Sequence, residues 1–575
     1  MSDLEKSRAR CEAHDMAYDP TVHTGCIVCR REELAAQESE KQTRRVWPFV
    51  MAAGFLLIAL GGIGIGVYGH KVQEAARVER AAVEPGPGQD IAAGADDEDA
   101  PRTLGLAGVD EYGYPNDLPD KLSLLAMLRD KQYRKLTAAL ESFQDEAKDD
   151  FHKERWPSVA FSTFRTANRR LARRFDGWVR STPKSFVPYL ARAEHRMALA
   201  ERQRAAAQGK PSKKARSRRK KLLSLAADDV SQALALRPEA MEAYALRLAI
   251  ATERGADVAA RAQIVEDAIQ HCNHCFDVRA EYLASVTPAR GGSHELMKRK
   301  AEGWQYVDEN PKLRQLLGFA DADLCETLPI EGSDRALSHC AEAIRTGPNP
   351  RFYASQARVL SELERYEDAI AAFDEALVHS PQDPRLLTAR GNARLELEGY
   401  DLAAKDLALA VKLDPSNRQA KSDLDQILEK LVRMAYYQAE AGEVEDAIRN
   451  YDRVLELQPR YADALAFRGQ AYAKKDQLND AERDLLHAIR IDPANLDAYR
   501  GLDTVLSRQE RLDEAIAHWN RYLKRRPKDA AALFERSGAY YRKGERDRAL
   551  QDVKAACKLG NEEACSTQRR FASAP

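Results

Sequence analysis

The sequence predicts an all-α protein: a solenoid of helical hairpins, preceded by one membrane-spanning helix and a small metal-held module. Three observations predict it. Pro381, Pro415, Pro459, Pro493 and Pro527 fall at intervals of 34, 44, 34 and 34 residues, and a period near 34 marks stacked helix pairs. Composition is rich in Ala, Leu, Glu and Arg, with only 30 Gly and 7% aromatic residues, which favours helix. Residues 46–69 carry no charge, and about 20 apolar residues suffice to cross a hydrocarbon core of ~30 Å.

The period is carried by residue size as well as by proline. Residues 350–383 place Ala357, Ala369, Phe373, Ala376 and Pro381 where 384–417 place Gly391, Ala403, Leu407, Ala410 and Pro415. Residues 428–461 give Ala435, Ala447, Tyr451, Val454 and Pro459, and 462–495 give Gly469, Ala481, Leu485, Ala488 and Pro493. Residues 496–529 depart at Asp503 and Tyr522 but keep Ala515, Trp519 and Pro527. Small residues let two helices approach, and proline stops the second. A last unit near 530–563 has Gly538, Tyr541, Ala549 and Ala556, and degenerate second helices precede the ladder at Ala336–Cys340–Ala343 and Ala226–Val230–Ala233. The ten extra residues of the 44-residue interval read as one lengthened helix over 418–440.

This ladder resembles the tetratricopeptide repeat (TPR) family. The resemblance implies a binding solenoid, with positions 2, 5, 9, 12 and 13 of each first helix on the concave face. The candidate partner-binding residues there are Arg358, Asn392, Tyr436, Gln470 and Arg500. Their mixed polarity suits a polar peptide or protein surface. It does not match the Lys/Asn/Arg set with which chaperone-binding repeats hold a C-terminal carboxylate. The end of the chain, with Cys557 and Cys565, resembles Sel1-like repeats. That resemblance implies a disulfide between the two.

The expected span is bordered by Trp47 and Tyr68, where amphipathic rings favour the interface. Arg30, Arg31, Lys41, Arg44 and Arg45 precede it, and Lys71, Arg77 and Arg80 follow it. This bias orients the N-terminus to the cytoplasm and the larger part to the periplasm of a bacterial inner membrane. Gly61, Gly62, Gly64 and Gly66 could let two spans pack as a homo-oligomer. Residues 1–35 hold Cys11, His14, Cys26 and Cys29. Two pairs of ligands, each three residues apart, suit a closed, structural Zn²⁺ site, and the module resembles bacterial zinc ribbons.

Residues 84–120 are rich in Pro, Gly, Ala and Asp and read as a disordered linker. Residues 121–316 read as a helical domain, with Trp156, Phe161, Phe164, Phe175, Trp178 and Val179 supplying core. The strings DGWVRSTPKSFVPYLARAE (176–194) and TPARGGSHELM (287–297) resemble a bacterial domain of unknown function. The TPR array is expected over 317–569. Seven of the nine residues 213–221 are basic and read as a solvated loop before a helix at 222–236. Net charge is −1, and residues 1–35 show no interleaving of basic and aromatic residues, so no nucleic-acid partner is expected.

His271-Cys272-Asn273-His274-Cys275 admits three readings. It could form a structural disulfide, with Cys325 and Cys340 among the candidate partners, act as a thiol-redox pair, or hold a metal. No catalytic triad or nucleotide loop is present, and the chain reads as a non-enzymatic, membrane-anchored scaffold for protein–protein interactions. The alternatives are a transmembrane receptor coupling an outside ligand to the zinc module, and a redox enzyme using Cys272 and Cys275.

Overall fold

The computed structural model describes residues 9–10, 17–18, 103–205, 212–306, 309–329 and 332–573. The chain divides into two compact units, Met1–Asp97 and Glu98–Pro575. In the first, the described residues form an antiparallel pair, β1 (Ala9–Arg10) and β2 (Ala17–Tyr18), with Ala9 opposite Tyr18. The expected ligands Cys11, His14, Cys26 and Cys29 and the expected span at 46–69 lie outside the described residues. Among the described residues no helix is long and apolar enough to cross a membrane.

The second unit is helical. It opens with α1 (Lys121–Arg129), α2 (Tyr133–Asp149), α3 (Arg155–Ser162) and α4 (Ala172–Ser181). Phe143, Phe161, Phe164, Phe175 and Trp178 are buried between them. Trp178 Nε1 donates to Thr137 Oγ1 at 2.8 Å, so the indole's one polar group is satisfied in the core. A long hairpin follows, α5 (Val187–Ala205) and α6 (Lys213–Leu236). The basic run is therefore helix rather than loop: Ser212 caps it by accepting from Ala215 N, and its Lys and Arg residues favour helix intrinsically. Then come α7 (Met241–Glu253), α8 (Val258–Ile269), α9 (Asp277–Ser285), α10 (His294–Gly303) and a 3₁₀ stretch, Pro311–Gly318.

Regular hairpins begin with α11 (Phe319–Thr327) and α12 (Ser333–Arg345). They continue as α13 (Pro350–Glu362) with α14 (Tyr366–His379) and α15 (Pro384–Glu396) with α16 (Tyr400–Leu413). Next come α17 (Arg418–Glu440) with α18 (Val444–Leu457) and α19 (Ala462–Lys474) with α20 (Leu478–Ile491). The last are α21 (Leu496–Arg508) with α22 (Leu512–Arg525), α23 (Ala530–Arg542) with α24 (Arg546–Lys558), and α25 (Glu562–Ser573). The lengthened helix expected over 418–440 is α17. The recurring alanines of the ladder, from Ala357 to Ala515, are almost fully buried.

The six hairpins from α13–α14 to α23–α24 each turn on one left-handed residue. Glu364, Glu398, Asp476 and Glu510 have φ between 58° and 63°, and Gly442 and Gly544 take the same place at 90° and 87°. The next amide closes each cap, as Arg365 N does onto Leu360 O at 2.9 Å. Lys131 and Gly255 do the same between α1 and α2 and between α7 and α8, so the hairpin chemistry begins well ahead of the proline ladder.

Two expectations are corrected. The linker is ordered from Thr103: bridges join Thr103 to Pro119 and Val109 to Pro115, and Tyr114 is fully buried. Tyr114 OH donates to Glu154 Oε1 at 2.8 Å and accepts from Asn310 Nδ2 at 2.9 Å. One buried tyrosine within Pro/Gly/Asp-rich sequence suffices to anchor it. The boundary at 316/317 also disappears, because Leu313 and Leu316 share one core with Phe319, Ala343 and Phe352.

The first turn of the solenoid closes on itself. Lys121 N donates to Gln382 Oε1 at 2.8 Å, Gln382 Nε2 donates to Asp120 Oδ1 at 2.9 Å, and Thr166 Oγ1 donates to Asp414 Oδ1 at 3.2 Å. Leu122 packs against the core of the repeat array.

Candidate functional site

Residues 34 apart in a stacked array overlie one another, so side chains at matching repeat positions line a continuous surface. On three successive first helices, α17, α19 and α21, this surface deepens into a groove of about 650 Å³. Tyr436, Gln470 and Arg500 lie together in its wall. Gly501, buried beneath the groove, lets α21 approach α19 and α20 closely: a Cβ there would meet Leu485 Cδ2 at 2.6 Å and Gln470 Cγ at 2.9 Å.

Arg358 and Asn392 are not brought to this groove. Arg358 pairs with Glu326, and Asn392 is half-buried on α15. The groove gains instead Arg433 and Phe467, both at repeat position 6, one helical step (i−3) from position 9. Their signal was available in that i, i+3 relation, which the family's usual position set omits.

The aromatic wall is Tyr436 against Phe467, ring centroids 5.3 Å apart, with Tyr461 beyond. Burial raises the Tyr461 phenol to about 12. Tyr437 is 64% and Met434 45% exposed beside it. Most groove cations are already engaged. Lys474 Nζ donates to Ala439 O at 3.0 Å and to Glu440 Oε1 at 2.7 Å, thereby capping α17. Arg508 does the same for α19 through Ala473 O and Asp476. Arg500 Nε donates to Glu535 Oε1 at 2.8 Å. Arg433 and Glu429 are exposed, and neither has a hydrogen-bond or ion-pair partner among the described residues. Asp463 accepts from Asn495 Nδ2 at 2.6 Å, and burial raises its carboxyl above the usual range. The groove thus offers aromatic surface, one free guanidinium and one free carboxylate.

Among the described residues the cysteines pair locally: Cys272 with Cys275, Cys325 with Cys340, and Cys557 with Cys565. The last is the pair expected from sequence; the first two resolve the open pairing within each hairpin rather than between them. The sulfurs of Cys272 and Cys275 and a ring nitrogen of His274 lie within 4.8 Å of one another, but bonded sulfurs are not thiolate ligands. The pair sits in an all-helical turn between α8 and α9, without the strand–helix setting of thiol oxidoreductases.

The tetratricopeptide repeat family model matches residues 331–384, 354–418, 432–495 and 504–564. The array is built of tetratricopeptide repeats. The Hsp70-Hsp90 organizing protein of Triticum aestivum is 25% identical over 198 residues, 34% of this chain and 32% of that protein. The mitochondrial import receptor subunit TOM70 of Homo sapiens is 23% identical over 309 residues, 51% of this chain and 48% of that protein. The match thus spans about a third to a half of these relatives' length. The crystal structure of MamA aligns with 25% identity and a TM-score of 0.22, covering 30% of this chain and 96% of that one. The tetratricopeptide array, and not the hairpins before residue 331, carries the family match.

Proposed function

We propose that this chain is a membrane-anchored, non-enzymatic scaffold that docks a partner protein through an extended segment laid in the groove of α17, α19 and α21. The observation that carries the reading is the convergence of Tyr436, Gln470 and Arg500 with the free Arg433 in one groove. The relatives named for organizing Hsp70 and Hsp90 and for import reception favour a protein-holding role. The anchor is the uncharged stretch 46–69 in a bacterial inner membrane, with the solenoid periplasmic and the N-terminus cytoplasmic. Three disulfides within the solenoid suit an oxidising compartment. On the cytoplasmic side Cys11, His14, Cys26 and Cys29 hold a structural Zn²⁺, and β1 and β2 flank the first of these pairs in sequence. Copurification from native membranes tests the groove. Tyr436→Ala and Arg433→Glu are expected to lose the partners that Glu456→Ala, exposed on α18 outside the groove, retains. Equal recovery in all three would refute it.

A further inference from the structure

The interior of the first turn holds a second cavity, of about 280 Å³, where α3, α9, the 3₁₀ stretch and the start of α13 meet. That is roughly the share of nine water molecules in the liquid. Its charges are arranged unlike those elsewhere in this unit. In the repeats, buried acids are forked by arginines: Arg390 grips Asp406 with two nitrogens at 2.8 and 2.6 Å, and Arg468 grips Asp484 at 2.6 and 3.1 Å. In the cavity, Arg155, Lys312 and Arg351 share the wall with Asp110, Asp277 and Glu281, and Asp110 is already occupied in accepting from Tyr112 N and Tyr114 N. Among the described residues no ion pair joins any of these three cations to any of the three acids.

Lys312 is the clearest case. It is 6% exposed, and its ammonium faces the Tyr114 ring at 3.7 Å and the Phe276 ring at 5.2 Å, with no hydrogen-bond acceptor. Arg351 lies over Phe319 at 5.5 Å, and Arg155 donates to the carbonyl of His379. Asp277 and Glu281, four residues apart on α9, share one helix face. Desolvation raises the Glu281 carboxyl and lowers the Lys312 ammonium to about 8. Charges desolvated without partners destabilise a fold, and a molecule that bridges them removes the penalty. A simple anion would leave the acids unmatched, and a simple cation would leave Lys312 unmatched.

We infer that this cavity binds a small dipolar molecule bearing an ammonium and a carboxylate, of amino-acid to dipeptide size. Lys312, with Arg155 and Arg351, takes the carboxylate, and Asp277 and Glu281 take the ammonium. The site is separate from the groove and does not depend on the scaffold reading. Titration calorimetry of the full chain with glycylglycine and with L-glutamine tests it, with acetate and methylammonium as single-charge controls. One saturable dipolar site is expected, weakened about tenfold or more by Lys312→Met and by Glu281→Gln, and unchanged by Tyr436→Ala. Should Lys312→Met fail to fold, Glu281→Gln decides alone. No dipolar binding up to about 10 mM, binding by the variants as tight as by the unmutated chain, or equal affinity for a single-charge control would overturn the inference.

Discussion

The hairpins α5–α6 and α15–α16 use one guanidinium fork at very different spacings. In the second, Arg390 grips Asp406 sixteen residues on and reaches back to Asp374, sixteen residues before it. In the first, Arg192 grips Asp229 at 3.0 and 2.7 Å across 37 residues, and reaches back to Asp176, again sixteen residues before it. A second arginine four residues on, Arg196 or Arg394, joins the same buried aspartate in each. The 21 additional residues (37 minus 16) lie in longer helices and their connection, with 19 and 24 residues where the regular hairpin has 13 and 14. What the two regions share is therefore a packed register fixed by a buried carboxylate, not a sequence period.

The comparison breaks if that carboxylate is dispensable in either hairpin. Asp229 and Asp406 are 4% and 5% exposed. Removing one partner of a buried ion pair costs about 3–5 kcal/mol, so Asp229→Ala and Asp406→Ala are each expected to lose stability on that scale in denaturant unfolding. A cost under ~1 kcal/mol at Asp229 alone would show that the α5–α6 fork is incidental. Close helix contact is the next largest effect. A Cβ on Gly501 would meet Leu485 at 2.6 Å, so Gly501→Ala is expected to cost about 1–3 kcal/mol by overpacking, read in the same unfolding experiment.

The two regions should also respond differently to pH. In the first turn, burial raises the carboxyl of Glu194 to about 7 and that of Glu242 to about 8. In the array, Glu514 and Glu545 are lowered by hydrogen bonds from Arg511 and Lys543. Glu242 keeps its proton in the folded state to higher pH than in the unfolded chain, where the reference is 4.5. Its contribution therefore lowers stability as pH rises from about 4.5 through about 8. Glu242→Gln should stabilise the protein at pH 8 and have little effect at pH 5, measured as thermal midpoints. The smallest expected effect is at a hairpin turn. Glu510 has φ 61°, and Glu510→Gly should gain up to ~1 kcal/mol by relieving that conformation, provided glycine's greater unfolded entropy does not offset it.

How much was legible follows from the same contrast. The array could be read residue by residue because Ala403, Ala481 and their equivalents are invariant in role: each lies where two helices touch and nothing larger fits. The α5–α6 hairpin gave only its second-helix alanines, Ala226 and Ala233, because its fork spans 37 residues and breaks the period. Thr103–Asp120 misled because composition is averaged, whereas order there rests on the single buried Tyr114 with its two hydrogen bonds. In the groove, Tyr436, Gln470 and Arg500 followed from repeat position, but Arg358 did not, since it lies on α13, outside the three helices that line the groove. The interior cavity had no sequence signal, because its charges come from segments more than 150 residues apart, Arg155 and Lys312 among them.

The scaffold reading stands on the groove, and site-specific photo-crosslinking tests it most directly. A photoreactive residue is placed in the full chain in its native membrane at position 470, in the groove wall, or at position 456, on α18 outside it. The account predicts a discrete adduct from 470 that Tyr436→Ala removes, and none from 456. Adducts of equal yield from both positions, or none from 470, would contradict it.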